Sequence, residues 1–434
     1  MVTVVIKESK TLNGEVCAPP SKSYTQRMLV ASLLSSGSSK ISGPLFADDT
    51  SATMRAIKAL GAKVIATRKC WTVVGATPVK GAKQPIDCGE SGATLRFMIP
   101  VAALAAEPSV FLPGKSLAQR PIEPLLLSLK QLGVETSIQK IGSRSGIRVQ
   151  AGGILGGKTS IRGDVSSQFI SGLMFACPLA NKDSEIFLTS PLESKDYVQM
   201  TIEILSKHGI KIEHSENFER IHIPAHQAYR PCDHLVPGDF SSAAFLFAAA
   251  AITRSDLTMM NLDLSLPQGD KAIIDILQRM GVLVKVRNNQ IEIMGTGKSL
   301  ESFNLNAMDR PDLVPICAAL ACYARGTSRI HDAKRLKLKE SNRLSSISTE
   351  LRRMGADIIT DESSLTINGP CKLLGTNVDP HKDHRIAMAC AIAALGAEGE
   401  TRIQDAECVK KSYPRFFIDL ATLGVDVIGG KFDR

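Results

Sequence analysis

One phrase recurs six times along this chain, and it limits the possible folds more than composition does. A helix-like stretch runs into a glycine, and a short β-branched run follows. The copies are Ile57-Lys-Ala-Leu-Gly61, Leu129-Lys-Gln-Leu-Gly133, Leu205-Ser-Lys-His-Gly209, Leu277-Gln-Arg-Met-Gly281, Leu351-Arg-Arg-Met-Gly355 and Leu420-Ala-Thr-Leu-Gly424. The glycines are 72, 76, 72, 74 and 69 residues apart. Glycine is the usual cap where a helix stops, because it accepts positive φ without strain. The runs that follow, such as Lys63-Val-Ile-Ala and Val282-Leu-Val-Lys-Val, read as strands.

A second helix precedes each glycine by 40 to 43 residues, with expected starts at Ser21, Ser91, Ser166, Ser241, Asp312 and Asp383. Ser and Asp are preferred helix caps, and the Ala/Leu/Ile-rich sequence behind them predicts helices buried nearly all round. Two helices plus strands in each repeat give six α/β units. Three units make a reasonable domain, so the chain reads as two pseudo-threefold domains. The boundary is expected near 233–238, at Asp233-His-Leu-Val-Pro-Gly. The first strand is expected to join the second domain, with a further crossover at Pro19-Pro20.

Composition removes several classes. Across 434 residues, 44% are hydrophobic and 22% charged, an ordinary globular balance. The longest apolar candidate, Ala243 to Ile252, is half the length of a membrane helix. No basic segment followed by a long apolar stretch opens the sequence, so the expectation is a cytoplasmic or organellar-matrix protein. The ten cysteines include no C-x-x-C pair, and Cys177, Cys317, Cys322 and Cys390 lie in apolar helix-like runs, so free thiols are expected. His222 and His226 have helical spacing, but Pro224 between them breaks the helix that would align metal ligands.

The formal charge of +9 asks for anionic partners. Aromatic residues are only 5%, which argues against single-stranded nucleic acid. Lys334-Arg-Leu-Lys-Leu-Lys339 fits a strand with one polar face as well as a nucleic-acid patch. Phosphorylated metabolites stay open. Helix N-termini suit such anions, since their N–H groups and dipole both favour negative charge. Basic residues gather beside the same starts. They occur in Pro19-Pro-Ser-Lys-Ser-Tyr-Thr-Gln-Arg27, Gly89-Glu-Ser-Gly-Ala-Thr-Leu-Arg96, Gln119-Arg-Pro121, Ser166-Ser-Gln168 and Leu192-Glu-Ser-Lys-Asp-Tyr197. The later half adds Asp312, Leu338-Lys-Glu-Ser-Asn-Arg343, Lys382-Asp-His-Arg385 and Lys410-Lys-Ser-Tyr-Pro414. Ser23 and Arg27 share a helix face and suit one phosphate, with Lys22 reaching forward.

In this order, from Lys22 to Lys411, the fragments resemble the enolpyruvyl transferases, most closely the branch acting on shikimate 3-phosphate. The resemblance implies an α/β fold of two domains, each three βαβαββ units in an inverse α/β barrel-like arrangement. The domains would be 20–234, holding shikimate 3-phosphate, and 1–19 plus 235–434, with the active-site cleft between them. It implies transfer of the enolpyruvyl group of phosphoenolpyruvate to the 5-hydroxyl of shikimate 3-phosphate, with phosphate released. No metal or organic cofactor takes part. The expected partners are these small molecules, with neither nucleic acid nor membrane, and the expected state is a monomer.

Carried over by position, the shikimate 3-phosphate residues are Lys22, Ser23, Arg27, Ser166, Ser167, Gln168, Ser194, Tyr197, Asp312 and Lys339. Those for phosphoenolpyruvate are Lys22, Gly92, Arg120, Gln168, Arg343, Arg385 and Lys411, and Arg96 falls in the same loop. Guanidinium forks grip planar carboxylates and phosphates bidentately, while lysine acts as a mobile point charge. The resemblance places Asp312 and Glu340 at the reacting atoms. Asp312 is the candidate base for the hydroxyl, and Glu340 the candidate for proton traffic at the methylene carbon. Lys22 is positioned to share either transfer. Such chemistry needs water excluded, so the free enzyme is expected to be open and to close on shikimate 3-phosphate.

Some positions depart from the commonest family pattern. Glu90 stands where Asn is frequent, Ala93 where Thr is, Phe97 where Pro is, and Asn342 where Asp is. Glu90 is expected to weaken phosphoenolpyruvate binding by its charge, and Asn342 to lose a charge that orients Arg343. Ungapped counting puts Arg335 where the family has an Asn on the shikimate phosphate. Gly152-Gly-Ile-Leu-Gly-Gly-Lys-Thr159 satisfies the P-loop pattern, but Thr159-Ser-Ile-Arg is strand-like where a helix is required. The sister reaction on UDP-N-acetylglucosamine usually goes with a Cys near the end of the first third; Pro113-Gly-Lys-Ser-Leu-Ala-Gln-Arg120 has none.

Overall fold

The structure is a computed structural model describing residues 2–295 and 297–430. Met1, Thr296 and 431–434, which the expected second domain includes, lie outside the described residues. The chain divides into two compact units, one from Pro20 to Val236 and the other joining the residues up to Pro19 with those from Pro237 onward.

Among the described residues the strands form six sheets, each built on one plan of a parallel pair extended by two further antiparallel strands. In the Pro20–Val236 unit, Ile86–Gly89 runs parallel to Ser109–Pro113, and the helix Gly92–Ala102 connects them. The helix Glu123–Gln131 then leads to Thr136–Ile141 and Arg144–Val149, which returns antiparallel to Ser109–Pro113. The same βαβαββ order repeats from Gly157–Ile161 through the helices Ser167–Ala176 and Lys195–Lys207 to Arg220–Ile223. The remaining copy is closed by distant chain. His234–Leu235 pairs parallel with Ile41 and Ser42, supplying the first strand to a unit whose helix Lys22–Leu34 comes first in sequence.

The other unit uses the same device. Gly14–Cys17 pairs parallel with Leu257–Met260, and Val4–Lys7 pairs antiparallel with Glu400–Ile403. The opening residues therefore complete both the first and the last of its three sheets. Its core is formed by the buried helices Phe240–Thr253, Val314–Ala321 and His384–Ala393, which pack on one another. Each fully buried Leu, Ile or Phe stabilises by about 1.5–3 kcal/mol.

All six repeat glycines have positive φ, from +80° at Gly209 to +107° at Gly61. Their backbone amides bond carbonyls in the last helical turn, as when Gly61 donates to Lys58 O at 3.1 Å. Gly172 has a different purpose. A Cβ there would lie 2.3 Å from Arg96 O, so only glycine lets the helices Ser167–Ala176 and Gly92–Ala102 approach this closely.

Three local expectations need correction. The helix expected at Ser241 starts earlier, capped by Asp239, whose carboxylate accepts the Ser241 N–H at 3.1 Å. The helix expected at Asp312 begins at Val314, with Leu313 as its uncapped start. Asp312 is drawn off by two arginines, and charge pairing wins over capping. The segment Lys334–Leu338 is a short 3-10 helix, not a strand; Arg335 and Leu336 are buried, which breaks strand alternation. The glycine-rich P-loop lookalike joins two strands, Arg144–Val149 and Gly157–Ile161.

Candidate active site

In the Pro20–Val236 unit, side-chain oxygens cap the starts of three buried helices. Ser21, Ser91 and Ser166 accept N–H groups of Tyr24, Thr94 and Gln168, at 3.4, 3.4 and 3.3 Å. Lys22 is the first residue of its helix, and its Nζ sits 3.1 Å from Asp49 Oδ2. Arg27 is 2% exposed. Its Nε donates to Thr201 Oγ1 at 2.8 Å, and its two Nη atoms donate to Ser23 O at 3.0 Å and Tyr197 O at 2.9 Å. The guanidinium also faces the Phe97 and Tyr197 rings, at 5.1 and 5.7 Å. Burial pulls it down to about 10, so it stays charged at neutral pH. Arg27 therefore ties Ser23 to Tyr197.

Arg96 donates from Nη1 to Gln168 Oε1 at 2.8 Å and to Ser166 Oγ at 3.4 Å. Gly92 leaves room for that pair, since a Cβ there would come within 3.3 Å of Arg96 Nη1 and 3.4 Å of Gln168 Oε1. Arg120 ends the turn Leu117–Gln119, and its Nη2 donates to Ser116 Oγ at 3.4 Å. Ser167 is buried beside Ser166. Ser194 precedes the helix Lys195–Lys207 in the left-handed region, at φ 59° and ψ 49°, which is uncommon for a non-glycine residue.

The other unit centres on Arg343, which is 1% exposed and gathers three carboxylates. Nη1 donates to Asp312 Oδ1 at 2.6 Å, Nη2 to Glu340 Oε2 at 2.5 Å, and Nε to Asp383 Oδ2 at 2.8 Å. Arg385 Nη2 donates to Asp312 Oδ2 at 3.0 Å and to Ser241 Oγ at 2.5 Å. Lys411 Nζ lies 3.2 Å from Glu340 Oε1, and Lys339 Nζ 4.0 Å from Asp312 Oδ1. Four cations thus face three carboxylates, which leaves positive charge for an anionic ligand.

The electrostatics follow from this geometry. Burial opposes ionisation of Asp312, but Arg385, Lys339 and Arg343 outweigh it and hold the carboxyl well below its usual range. Burial works against the Arg343 charge too, yet Asp383, Glu340 and Asp312 hold its guanidinium above the ordinary value. Lys339 goes the other way. Burial pushes its ammonium down to about 7, only partly opposed by Asp312.

Four residues not expected among the site residues belong to these groups. Asp49 holds Lys22. Gln26 Nε2 reaches both Asp49 O at 3.2 Å and Ser91 Oγ at 3.1 Å, linking two helix starts. Asp383 holds Arg343 through Nε and caps the helix His384–Ala393. Ser241, expected as a helix start, instead accepts from Arg385. The acidic pair Asp48-Asp49 and the phrase Lys382-Asp-His-Arg385 were visible signals for two of the four. Asn342 caps the helix Arg343–Arg353, its Oδ1 accepting Ser345 N–H at 3.4 Å, so Arg343 takes its orientation from Asp383. Glu90 accepts the backbone N–H groups of Ser116 at 3.1 Å and Leu117 at 2.8 Å.

Solved structures share this fold. EPSP synthase from Acinetobacter baumannii matches with a TM-score of 0.81 over 99% of this chain and 100% of its own, at 24% identity. The enolpyruvyl transferase NikO from Streptomyces tendae matches with a TM-score of 0.81 over 99% of both chains, at 19% identity. At these identities the likeness concerns the fold. The family described as EPSP synthase (3-phosphoshikimate 1-carboxyvinyltransferase) matches residues 6–420. The 3-phosphoshikimate 1-carboxyvinyltransferase of Methanocaldococcus jannaschii is 40% identical over 98% of this chain and 99% of its own, and that of Clostridium perfringens is 38% identical over the same shares. The chain belongs to the EPSP synthase family.

Proposed function

We propose that this chain transfers the 1-carboxyvinyl group of phosphoenolpyruvate to the 5-hydroxyl of shikimate 3-phosphate, releasing phosphate, in the biosynthesis of chorismate and the aromatic amino acids. The observation that carries the reading is Arg343 held against Asp312, Glu340 and Asp383, with Arg385 and Lys411 closing round the same carboxylates. A substrate bearing a carboxylate and a phosphate can compete for those cations and so release the acid–base groups.

In this scheme the shikimate ring and phosphate are held by Lys22, Ser23, Arg27, Ser166, Ser167, Gln168, Ser194 and Tyr197, with Lys339 adding charge. Phosphoenolpyruvate is held by Lys22, Gly92, Arg96, Arg120, Gln168, Arg343, Arg385 and Lys411. Glu340 delivers a proton to C3 of phosphoenolpyruvate while Asp312 takes the proton of the 5-hydroxyl. The new C2–O bond gives a tetrahedral ketal phosphate. Glu340 then removes a proton from the methyl carbon, the C2–O bond to phosphate breaks, and the double bond is restored. Ligand anions on Arg385 and Lys339 lessen the field that keeps Asp312 a weak base. Positioned acid–base groups of this kind contribute about 10²–10⁴-fold. The enzyme acts as a cytoplasmic monomer on small molecules, without nucleic acid or membrane.

The test is phosphate release from phosphoenolpyruvate, run in parallel with shikimate 3-phosphate and with UDP-N-acetylglucosamine as acceptor. Release with shikimate 3-phosphate alone is expected. Release with the sugar nucleotide alone would transfer the assignment to the sister reaction.

A further inference from the structure

Away from the residues of the reaction, two cysteines are held side by side. Cys322 is fully buried at the C-terminal cap of the helix Val314–Ala321, and Cys371 is half-buried just beyond the strand Leu365–Gly369. The Cys371 N–H donates to Cys322 O at 2.7 Å. That bond limits the two Cα atoms to about 6 Å apart, from standard bond lengths, inside the span a disulfide bridges. The approach is locked by Gly369, where a Cβ would lie 2.6 Å from Ala321 O and 2.4 Å from Ala324 O.

The two thiols also act on each other, Cys322 being pushed up and Cys371 drawn down. The Asp357 N–H donates to Cys371 Sγ at 3.5 Å, and Asn368 O accepts from the Cys371 thiol at 3.2 Å. In the reduced state Cys322 donates to Ala318 O at 3.3 Å. The Cys322 thiol, and after it the Asp357 N–H, hold the Cys371 thiol down to about 6, against burial and the Asp357 carboxylate. Burial instead pushes the thiols of Cys88, Cys317, Cys390 and Cys408 up. A half-buried thiol that ionises readily, with a second thiol in bonding reach, has the make-up of a peroxide-sensitive pair.

We propose that Cys371 and Cys322 form a thiol oxidation site, in which Cys371 reacts with a hydroperoxide and Cys322 resolves the product as an intramolecular disulfide. In the first step the Cys371 thiolate attacks the peroxide O–O bond, giving Cys371 sulfenic acid and releasing alkoxide or hydroxide. In the second, the Cys322 sulfur displaces the sulfenic oxygen, which leaves as water with the Cys322 proton. The peroxide gains two electrons and each sulfur gives up one. In a reducing compartment the bond is transient, reopened by exchange with a thiol.

The test treats the reduced full chain with stoichiometric hydrogen peroxide under native conditions, followed by intact mass and peptide mapping. The expected result is a loss of about 2 Da, a 322–371 linked peptide, and reversal by dithiothreitol. In Cys322→Ala the same treatment should instead add about 16 or 32 Da at Cys371, and Cys371→Ser should show no loss of mass. A disulfide through other cysteines, oxidation of Cys17, Cys70 or Cys232 before Cys371, or sulfinic acid at Cys371 in the unmutated chain would each overturn the proposal.

Discussion

The Arg343 guanidinium and the Asp383 carboxylate form an ion pair closed off from solvent, Nε to Oδ2 at 2.8 Å, with side chains 2% and 0% exposed. Asp383 also accepts from Ser341 Oγ at 3.1 Å and caps its own helix through the Arg385 N–H at 3.0 Å. One carboxylate therefore sets the position of two arginines, Arg343 by its side chain and Arg385 by its backbone. Asp383 is a positioning residue, its two oxygens engaged by Arg343, Ser341 and the Arg385 N–H.

Removing Asp383 leaves a buried guanidinium short of its main counter-charge. Breaking a buried pair from one side costs about 3–5 kcal/mol. Asp383→Ala should lose stability on that scale in urea unfolding, and Asp383→Asn, which keeps the cap, should lose less. Equal losses in the two variants would show that the charge, absent from both, is what matters and that the cap adds nothing.

Asp312 and Glu340 are predicted to lower turnover more than they lower binding. Asp312→Asn and Glu340→Gln should each reduce kcat by about 10²–10⁴-fold, with shikimate 3-phosphate affinity changed only a few-fold. Steady-state kinetics beside calorimetric titration separate the two effects. A large rise in Kd with kcat intact would move both residues to ground-state binding.

Lys339 makes a prediction about pH. Its ammonium is pushed down to about 7 in the folded chain, against an ordinary value of about 10.4. Between those values the unfolded chain binds more protons than the folded one, so this group makes stability rise with pH across the window. Below about 7 both states are protonated and the full burial penalty applies. The contribution is moderated because 26% of the side chain reaches solvent. Lys339→Met should flatten the slope of stability between pH 7 and 10, a range set by the two values above. At pH 8 the unmutated chain should take up a proton on binding shikimate 3-phosphate, seen as a buffer-dependent heat, and the variant should not.

Glu90 separates two accounts of one carboxylate. Its charge alone suggests repulsion of phosphoenolpyruvate, yet its oxygens hold the Ser116 and Leu117 amides at the turn that leads to Arg120. Hydrogen bonds to a charged group are worth about 1.5–3 kcal/mol. Glu90→Ala should therefore raise KM for phosphoenolpyruvate about tenfold or more, with kcat little changed. A fall in KM would show that repulsion dominates.

Much of this protein was legible in its residues because the signals are local. A glycine after Leu or Met stops a helix by its own φ freedom, and all six repeat glycines do so. Ser21, Ser91, Ser166 and Asp383 cap helices through atoms two or three residues away. Where a local preference meets a distant partner, the distant partner prevails. Asp312 left its helix start for Arg343 and Arg385, 31 and 73 residues on. Lys334–Leu338 gave up strand alternation to bury Arg335 and Leu336.

The repeat, the helix stops, four of the six expected helix starts and the basic residues beside them follow from residue types alone, since each depends on backbone conformation within a turn or two. Long-range packing alone has His234 close a sheet begun at Ser38 and Val4–Lys7 complete one begun at Asn377. It also brought Asp312, Glu340 and Asp383 onto one guanidinium, and Cys371 against Cys322. The physical reason is that such meetings depend on how buried helices pack and strands pair across long stretches of chain, and no local pattern of residue types encodes that distance.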